Sequence, residues 1–337
     1  MTISKTPTRI DLAGGTLDLW PISQMVPKSQ TINLAIDLFS EARIEERIEG
    51  SFRFFSHDLN QEITLDRESL LTKDSFKDLE LLLLATQFFL RNFSNSASSQ
   101  PFTLETRSVS LVGAGLGGSS SLLISILGGL NSFFNAKLSS ETLIEIAKNL
   151  ETKAMKKPAG VQDYYPPVHG GILKIEFLEA STRVVPYVEN LKSFFDGHLS
   201  LVYTGVPHHS GINNWEVLKA FLDGDEKVKR SLFAIRDATL QMDEALQTES
   251  RELFIEALKN EWGSRKELSP FVSNEKIESL FQEAFSEGAL AGKVCGAGGG
   301  GCVFFYSEES RVLDQKLQEK GYQVIPFQLT SQGLTVI

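Results

Sequence analysis

A glycine-rich stretch near the middle of the chain has the composition of a phosphate-binding loop. It reads LVGAGLGGSSS from Leu111 to Ser121, and it lies between a β-like segment (Phe102 to Thr106) and a strongly apolar run. This order predicts a strand, a glycine loop and a helix that begins near Ser119. Glycines let the backbone wrap closely around a bound group, and a helix start offers unpaired N–H groups and a positive dipole end. The loop therefore suits a phosphate, although a flexible connection capped by serines has the same composition. It is not a P-loop, because no lysine follows the last glycine.

Two further stretches carry side chains suited to acid–base chemistry. The segment PTRIDLAGGTLDLWP holds Arg9 and Asp18 around a glycine pair, where both could point into a site. Asp163 follows a break at Pro158 to Gly160, and an acid held between two elements could serve as a catalytic base. From spacing alone, a turn capped by Asp18 and an exposed loop that carries Asp163 are the simpler interpretations.

Composition restricts the class of protein. At 337 residues, two domains are expected. The net charge of −10 argues against nucleic acid or an anionic membrane as the main partner. The first residues lack the apolar core of a signal peptide, and no apolar run reaches the length of a membrane span. Two cysteines, Cys295 and Cys302, fit a reducing compartment, so a cytoplasmic location is expected.

Hydrophobic periodicity predicts strands mixed with paired helices, which is typical of an α+β protein. Helices are expected over Leu79 to Arg91, Ser119 to Phe134 and Glu141 to Met155, the last with Ser139 or Ser140 as its N-cap. The second half is predicted to be rich in long helices. The domain junction is expected between Ser181 and Lys192.

Three separated stretches, in this order, resemble the motifs of the GHMP kinases. PTRIDLAGGTLDL (Pro7 to Leu19) is similar to the family's opening P-x-R-x-x-L-x-G-x-x-x-D segment. GAGLGGSSS (Gly113 to Ser121) is similar to its phosphate loop, and GAGGGGC (Gly296 to Cys302) to its C-terminal glycine motif. A fourth stretch, GVQDYYPPVHGG (Gly160 to Gly171), resembles the sugar-phosphate branch. Any one of these motifs is weak, whereas all four in order are highly specific.

The resemblance implies an α+β, two-domain GHMP kinase fold. Residues 1–187 would form an N-terminal domain like ribosomal protein S5 domain 2, and residues 188–337 a C-terminal ferredoxin-like α/β sandwich. ATP would lie in the first domain along the glycine loop, with the substrate between the domains. The enzyme would be a monomer or a homodimer that binds small molecules, with neither nucleic acid nor membrane as a partner.

The resemblance also implies γ-phosphoryl transfer to a hydroxyl, a reaction that depends on positioning and charge stabilisation. Asp163 matches the catalytic base and Arg9 the basic residue beside the reacting oxygen. Glu151 and Ser119 match the ligands of Mg²⁺, with Ser120 as the alternative serine. The ATP-binding residues would be Gly113, Ala114, Gly115, Leu116, Gly117, Gly118, Ser119 and Ser120.

Two positions depart from the family pattern. Leu111 stands where the family usually has proline, and Gly118 stands where it has the first serine of a pair. The second departure leaves the register of the metal-binding serine open between Ser119 and Ser120. Neither departure removes a group that the reaction needs.

The expected acceptor is a sugar or sugar phosphate. Asp18 matches the position that holds sugar hydroxyls in galactokinase-like members, and it would bind substrate together with Gly15, Thr16, Gly298, Gly299 and His209. A mevalonate-type kinase is the alternative. A catalytically inactive sensor of ATP and sugar is a further alternative, although Asp163, Glu151, Ser119 and Arg9 are all present.

Overall fold

The structure is a computed structural model, and it describes residues 1–48, 50–73, 75–76, 79–93, 100–188, 191–207 and 210–337. Within these residues the strands form two separate sheets, one of eight strands and one of four. No helix in the described part of the chain is long and apolar enough to cross a membrane.

The larger sheet is built mainly from the first half of the chain. Its main path runs β12-β1-β2-β5-β3-β4, and β6 and β7 extend from β2. The pairs are antiparallel except for β3 and β5, which run parallel. The strands are β1 (Thr2–Ala13), β2 (Gln30–Glu46), β3 (Phe52–Ser56), β4 (Gln61–Leu65), β5 (Phe102–Ser108), β6 (Ile172–Phe177), β7 (Thr182–Pro186) and β12 (Thr335–Val336).

Helices cover this sheet, and their apolar side chains pack with those of the strands to form its hydrophobic core. The central one, α4, begins at Gly118, and it is buried because its apolar residues continue around most of its surface. Of the two serines predicted as the N-cap of α5, Ser139 is the one that caps it, by accepting a hydrogen bond from the Thr142 N–H. The helices are α1 (Ile22–Met25), α2 (Arg67–Thr72), α3 (Glu80–Phe93), α4 (Gly118–Phe133), α5 (Ser140–Met155) and α6 (Tyr165–His169), and a 3-10 turn (Gln162–Tyr164) precedes α6.

The smaller sheet has the order β11-β8-β10-β9 and is antiparallel. Along the chain, a strand, helices, two strands, a helix and a strand follow one another, which is the βαββαβ order of the expected ferredoxin-like sandwich. The strands are β8 (Leu199–Tyr203), β9 (Ala289–Val294), β10 (Cys302–Ser307) and β11 (Gln323–Val324). The helices are α7 (Lys192–Phe195), α8 (Ser210–Leu222), α9 (Glu226–Gln247), α10 (Arg251–Lys266), α11 (Glu275–Ser286) and α12 (Ser310–Glu319).

The change from one sheet to the other falls between β7, which ends at Pro186, and β8, which begins at Leu199. The boundary at residues 187 and 188 stays a prediction. The last residues were not expected to leave the second unit, yet β12 pairs with β1, and Ile337 and Ile3 exchange two backbone hydrogen bonds. The chain therefore returns to its first sheet.

A buried ion pair joins the two units. The Lys293 Nζ on β9 lies 2.6 Å from the Asp11 Oδ2 on β1, and neither side chain is exposed to solvent. The same ammonium donates to the Asp11 carbonyl oxygen, and the Gly296 N–H donates to the Asp11 Oδ1. Burial alone would raise the pKa of Asp11, but the charges of Lys293 and Arg9 hold it below its usual value.

We expect Lys293→Met to lower the free energy of unfolding by about 3–5 kcal/mol, because it leaves the Asp11 carboxylate buried without its main countercharge. Urea unfolding at pH 7 measures the change. Lys219→Met is the matched control, since Lys219 pairs with Asp223 on the exposed surface of α8 and should unfold like the parent. Equal stability of the two variants would contradict the prediction.

Candidate active site

A cavity of about 470 Å³ lies at the junction of the two units. The glycine loop after β5 forms one wall, and residues of the opening motif and of the 3-10 turn form another. The apolar side chains that line the cavity include Leu59, Leu79, Leu82, Leu111 and Val112. The polar side chains that line it include Arg9, Thr16, Asp18, Gln162, Asp163 and Arg265. All eight residues predicted to bind ATP line the same cavity.

The glycine loop has the backbone conformation that its sequence demands. Gly113, Gly115 and Gly117 all have positive φ angles, of 73°, 73° and 68°, a region that other residues rarely adopt. Gly117 is the N-cap of α4, and the Ser121 N–H donates to its carbonyl oxygen. The N–H groups of the three residues before Ser121 therefore precede the helical ladder and are suited to an anion.

The C-terminal glycine motif packs directly on this loop. The Cys302 N–H donates to the Ala114 carbonyl oxygen at 2.8 Å. A Cβ atom on Gly115 would lie 2.5 Å from the Cys295 carbonyl oxygen, and one on Gly301 would lie 2.7 Å from that of Ala114. Only glycine allows this approach of backbone to backbone, so the two motifs position each other.

Arg9 and Asp163 form an ion pair at the end of the loop. Arg9 donates from both Nε and Nη2 to the Asp163 Oδ1, at 2.9 and 2.8 Å, and from Nη1 to the Gly115 carbonyl oxygen. Burial opposes the charge of Arg9, but Asp163 and Asp11 raise its pKa above the usual value. The Asp163 side chain keeps 26% of its surface exposed. Both contacts fall on Oδ1, so Oδ2 is the oxygen that remains for a ligand on the cavity side.

Asp18 lies beside this pair and is nearly buried. Its Oδ2 accepts a hydrogen bond from the Gln162 N–H at 3.0 Å, and Gly160 allows the approach because a Cβ there would lie 2.3 Å from that oxygen. Burial, and then the negative charge of Asp163, raise the pKa of Asp18 to about 6. Asp18 and Asp163, which come from two separate motifs, are therefore neighbours in the structure.

Glu151 brings a buried carboxylate to the cavity from α5. Its Oε2 accepts hydrogen bonds from the Tyr164 Oη at 2.6 Å and the Ser120 Oγ at 2.8 Å. Burial raises the pKa of Glu151, and these hydrogen bonds oppose the rise. Carboxylate and hydroxyl oxygens are the hard donors that Mg²⁺ prefers.

These residues fit a magnesium ion that is shared with a nucleotide. Ser119 is exposed to the cavity, whereas Ser120 is buried. Across the described ranges, no group of three or more His, Cys, Asp or Glu side chains is arranged to hold a metal. Mg²⁺ in phosphoryl-transfer sites needs only one or two carboxylates, because phosphates and waters complete its shell.

The other residues predicted to bind substrate fall in different places. Gly15 and Thr16 line the cavity. The C-terminal glycine motif reaches the cavity through Gly296 and Ala297, whereas the Gly299 N–H donates to the Val272 carbonyl oxygen and Gly298 packs on the same residue. A role for Gly298 and Gly299 toward substrate stays a prediction. His209 lies outside the described residues.

Arg265 is a cavity residue that sequence reasoning missed. It is almost fully buried on α10, where it bonds Glu261 and donates to the Gly15 carbonyl oxygen at 2.9 Å. The signal in the sequence was a Glu-to-Arg spacing of four along a helix. Ion pairs on the surface of helices show the same spacing, so the spacing gave no indication that Arg265 is buried. The apolar lining residues of the cavity were also missed, because they come from separate elements.

Models of one family match both halves of the chain. The description "GHMP kinases N terminal domain" matches residues 80–171, and "GHMP kinases C terminal" matches residues 242–321. The chain belongs to the GHMP kinase family. The matches confirm the two-domain fold and the class of enzyme, a phosphotransferase that acts on an alcohol group.

Similar proteins extend over the whole of this GHMP kinase. A D-glycero-alpha-D-manno-heptose 7-phosphate kinase of Campylobacter jejuni is 27% identical, over 98% of this chain and 97% of its own. The structure of a D-glycero-D-manno-heptose 1-phosphate kinase of Bacteroides thetaiotaomicron has a TM-score of 0.78 at 22% identity, covering 100% and 99% of the two chains. That of the Methanococcus jannaschii mevalonate kinase has a TM-score of 0.78 at 22% identity, covering 97% and 98%. The two structures show that the fold is shared.

We expect Ser119→Ala to raise the Mg²⁺ concentration needed for ATP turnover more than Ser120→Ala does. Ser119 faces the cavity, whereas the Ser120 hydroxyl is already donated to Glu151. Alanine is a good helix former, so both variants should fold. Titration of Mg²⁺ at fixed ATP measures the difference. A silent Ser119→Ala beside a damaging Ser120→Ala would place the metal-binding serine one position later.

Proposed function

We propose that the protein transfers the γ-phosphoryl group of ATP to a hydroxyl of a sugar or sugar phosphate in the cytoplasm. The observation that carries this proposal is the pairing of Asp163 with Arg9 at the end of the glycine loop, with Asp18 beside them. A base, a cation and a hydroxyl-binding carboxylate thus meet where a terminal phosphate would lie. A base that orients the nucleophile and a positive charge at the transferred group are among the parts that phosphoryl transfer uses.

The cavity supports ATP as the phosphate donor. The backbone N–H groups at the start of α4 suit the phosphates, and the apolar side chains of Leu59, Leu79 and Val112 in the lining suit a flat aromatic base. Glu151 and Ser119 would hold Mg²⁺, which neutralises phosphate charge in such reactions.

Each side chain has a separate task in this mechanism. The free Oδ2 of Asp163 would accept the proton of the substrate hydroxyl while Arg9 holds the other oxygen in place. Arg9 also brings positive charge toward the transferred group, where negative charge develops. Asp18 would accept hydrogen bonds from neighbouring hydroxyls and so orient the acceptor.

A sugar fits Asp18 better than mevalonate does. A carboxylate accepts hydrogen bonds from two hydroxyls, whereas it repels the carboxylate of mevalonate. The similarity to a heptose 7-phosphate kinase along 98% of the chain also favours a sugar. Mevalonate remains the second candidate, since a mevalonate kinase shares the fold.

An ADP-release screen tests the proposal. The acceptors are D-glycero-D-manno-heptose 7-phosphate, L-fucose, D-galactose, D-glucuronate and (R)-mevalonate, with Asp163→Asn as the inactive control. Release with at least one sugar supports the proposal. Release with mevalonate alone would contradict it. Binding of ATP and a sugar without ADP release would indicate a sensor.

Asp163→Asn should lower the turnover number by about 10²-fold or more and leave ATP binding nearly unchanged, because asparagine keeps the shape but cannot take the proton. Arg9→Met should also lower turnover. The double variant should lose much less than the product of the two single losses, since the two groups act as a unit. Steady-state ADP release and nucleotide titration of all four proteins measure this. Near-normal turnover of Asp163→Asn would refute its assignment as the base.

The affinity for the acceptor should depend on pH through Asp18. The pKa of Asp18 is raised to about 6, so its carboxylate becomes ionised, and a better hydrogen-bond acceptor, as the pH rises through that value. We expect the KM for the sugar to fall between about pH 5 and 7. In Asp18→Asn, the KM should be higher and lack this pH dependence. A wild-type KM that is flat over this interval would refute the role of Asp18.

A further inference from the structure

Tyr164 follows the base directly in the chain, but its hydroxyl points to a different target. The residue is fully buried, and its Oη donates to the Glu151 Oε2 at 2.6 Å. The Ser120 Oγ donates to the same oxygen at 2.8 Å. Two short hydrogen bonds therefore fix one oxygen of the carboxylate that lines the cavity.

We propose that Tyr164 is a positioning residue for Mg²⁺. Its hydroxyl holds the Glu151 carboxylate by Oε2, which would leave Oε1 for the metal. The inference rests on the nucleotide and metal part of the proposed function. Tyr164 itself does not touch the metal. Outer-shell partners of this kind orient a ligand and raise the affinity for the ion.

The hydrogen bond from Tyr164 restricts the orientation of the Glu151 carboxylate. A buried tyrosine hydroxyl needs an acceptor, which any carbonyl oxygen could supply. Here the acceptor belongs to an acid on α5 that lines the cavity. A free glutamate carboxylate could rotate about its terminal bond. The two donors on Oε2 prevent this rotation.

The same short turn also holds the base. Asp163 and Tyr164 are neighbours in the 3-10 turn Gln162–Tyr164, where one side chain is paired with Arg9 and the other is bonded to Glu151. A short turn between them would hold the carboxylate that binds the metal at a fixed distance from the base. Phosphoryl transfer depends on such positioning.

Tyr164→Phe tests the inference, because it removes one oxygen atom and keeps the ring. The probe is Mn²⁺, titrated by electron paramagnetic resonance into the enzyme with a non-hydrolysable ATP analogue, so no acceptor is needed. We expect the affinity for Mn²⁺ to fall by about 10-fold, within the range found for outer-shell partners. The affinity for the analogue without metal should not change.

Tyr187→Phe is the matched control. The Tyr187 Oη donates to the Asp243 Oδ1 at 2.6 Å, a bond of the same kind that lies outside the cavity. This control should lower the melting temperature in the same way as Tyr164→Phe but leave the affinity for Mn²⁺ unchanged.

Unchanged Mn²⁺ affinity in Tyr164→Phe, or an equal loss of affinity in Tyr187→Phe, would overturn the inference. The hydrogen bond from Tyr164 to Glu151 would then serve only the stability of the fold. If Tyr164→Phe fails to fold, Ser120→Ala removes the other donor, and an affinity for Mn²⁺ equal to wild type would overturn it as well. Absence of Mn²⁺ binding in the wild type would also overturn it. Failure of every acceptor in the ADP-release screen, with Mn²⁺ binding intact, would refute only the proposed function.

Discussion

The buried contact of Lys293 with Asp11 is the interaction on which the rest of the site depends. Taking two charges out of water costs several kcal/mol for each ion, so such a pair contributes little net stability. Its value here is geometric. Asp11 lies two residues after Arg9 on β1, and it also binds the backbone of the C-terminal glycine motif at Gly296. One carboxylate thereby sets the position of the second unit against the opening motif of the first.

From this pair, a row of alternating charges leads into the cavity. Asp11 lies 3.9 Å from Arg9, and Arg9 bonds Asp163, which borders Asp18. Each charge up to Asp163 has an opposite neighbour. Asp18 is the last member and lies beside the like charge of Asp163. Burial, and then this charge, raise its pKa to about 6. This series of charges thus ends in a nearly buried carboxylate that lines the cavity.

Much of this arrangement could be predicted from the sequence, and the reason is local. The positive φ angles at Gly113, Gly115 and Gly117 favour glycine, so the conformation of the loop follows from residues within the loop itself. The cap at Ser139 and the bounds of α9 also follow from neighbouring residues. Arg9, Asp18, Asp163 and Glu151 were found through motif order, and all four line one cavity.

What sequence reasoning missed depends on distant residues. Nothing near Lys293 indicates a partner 282 positions earlier, because a lysine at the end of a strand is usually exposed. Tyr164 has no local sign of a carboxylate partner on another helix. The strands β4 and β7 are each five residues long. In β4 half-buried positions alternate with exposed ones, but only Ile63 and Leu65 are apolar, and β7 shows no alternation.

The pairing of β12 with β1 has a consequence for synthesis on the ribosome. Ser4 pairs with Val336, and Lys5 with Thr335, so this edge of the larger sheet is completed by residues translated more than 300 positions later. Until they emerge, β1 presents an open row of backbone donors and acceptors, a feature that invites pairing with other chains. The nascent first unit would therefore depend on chaperones, or on rapid completion of the polypeptide, to cover that edge.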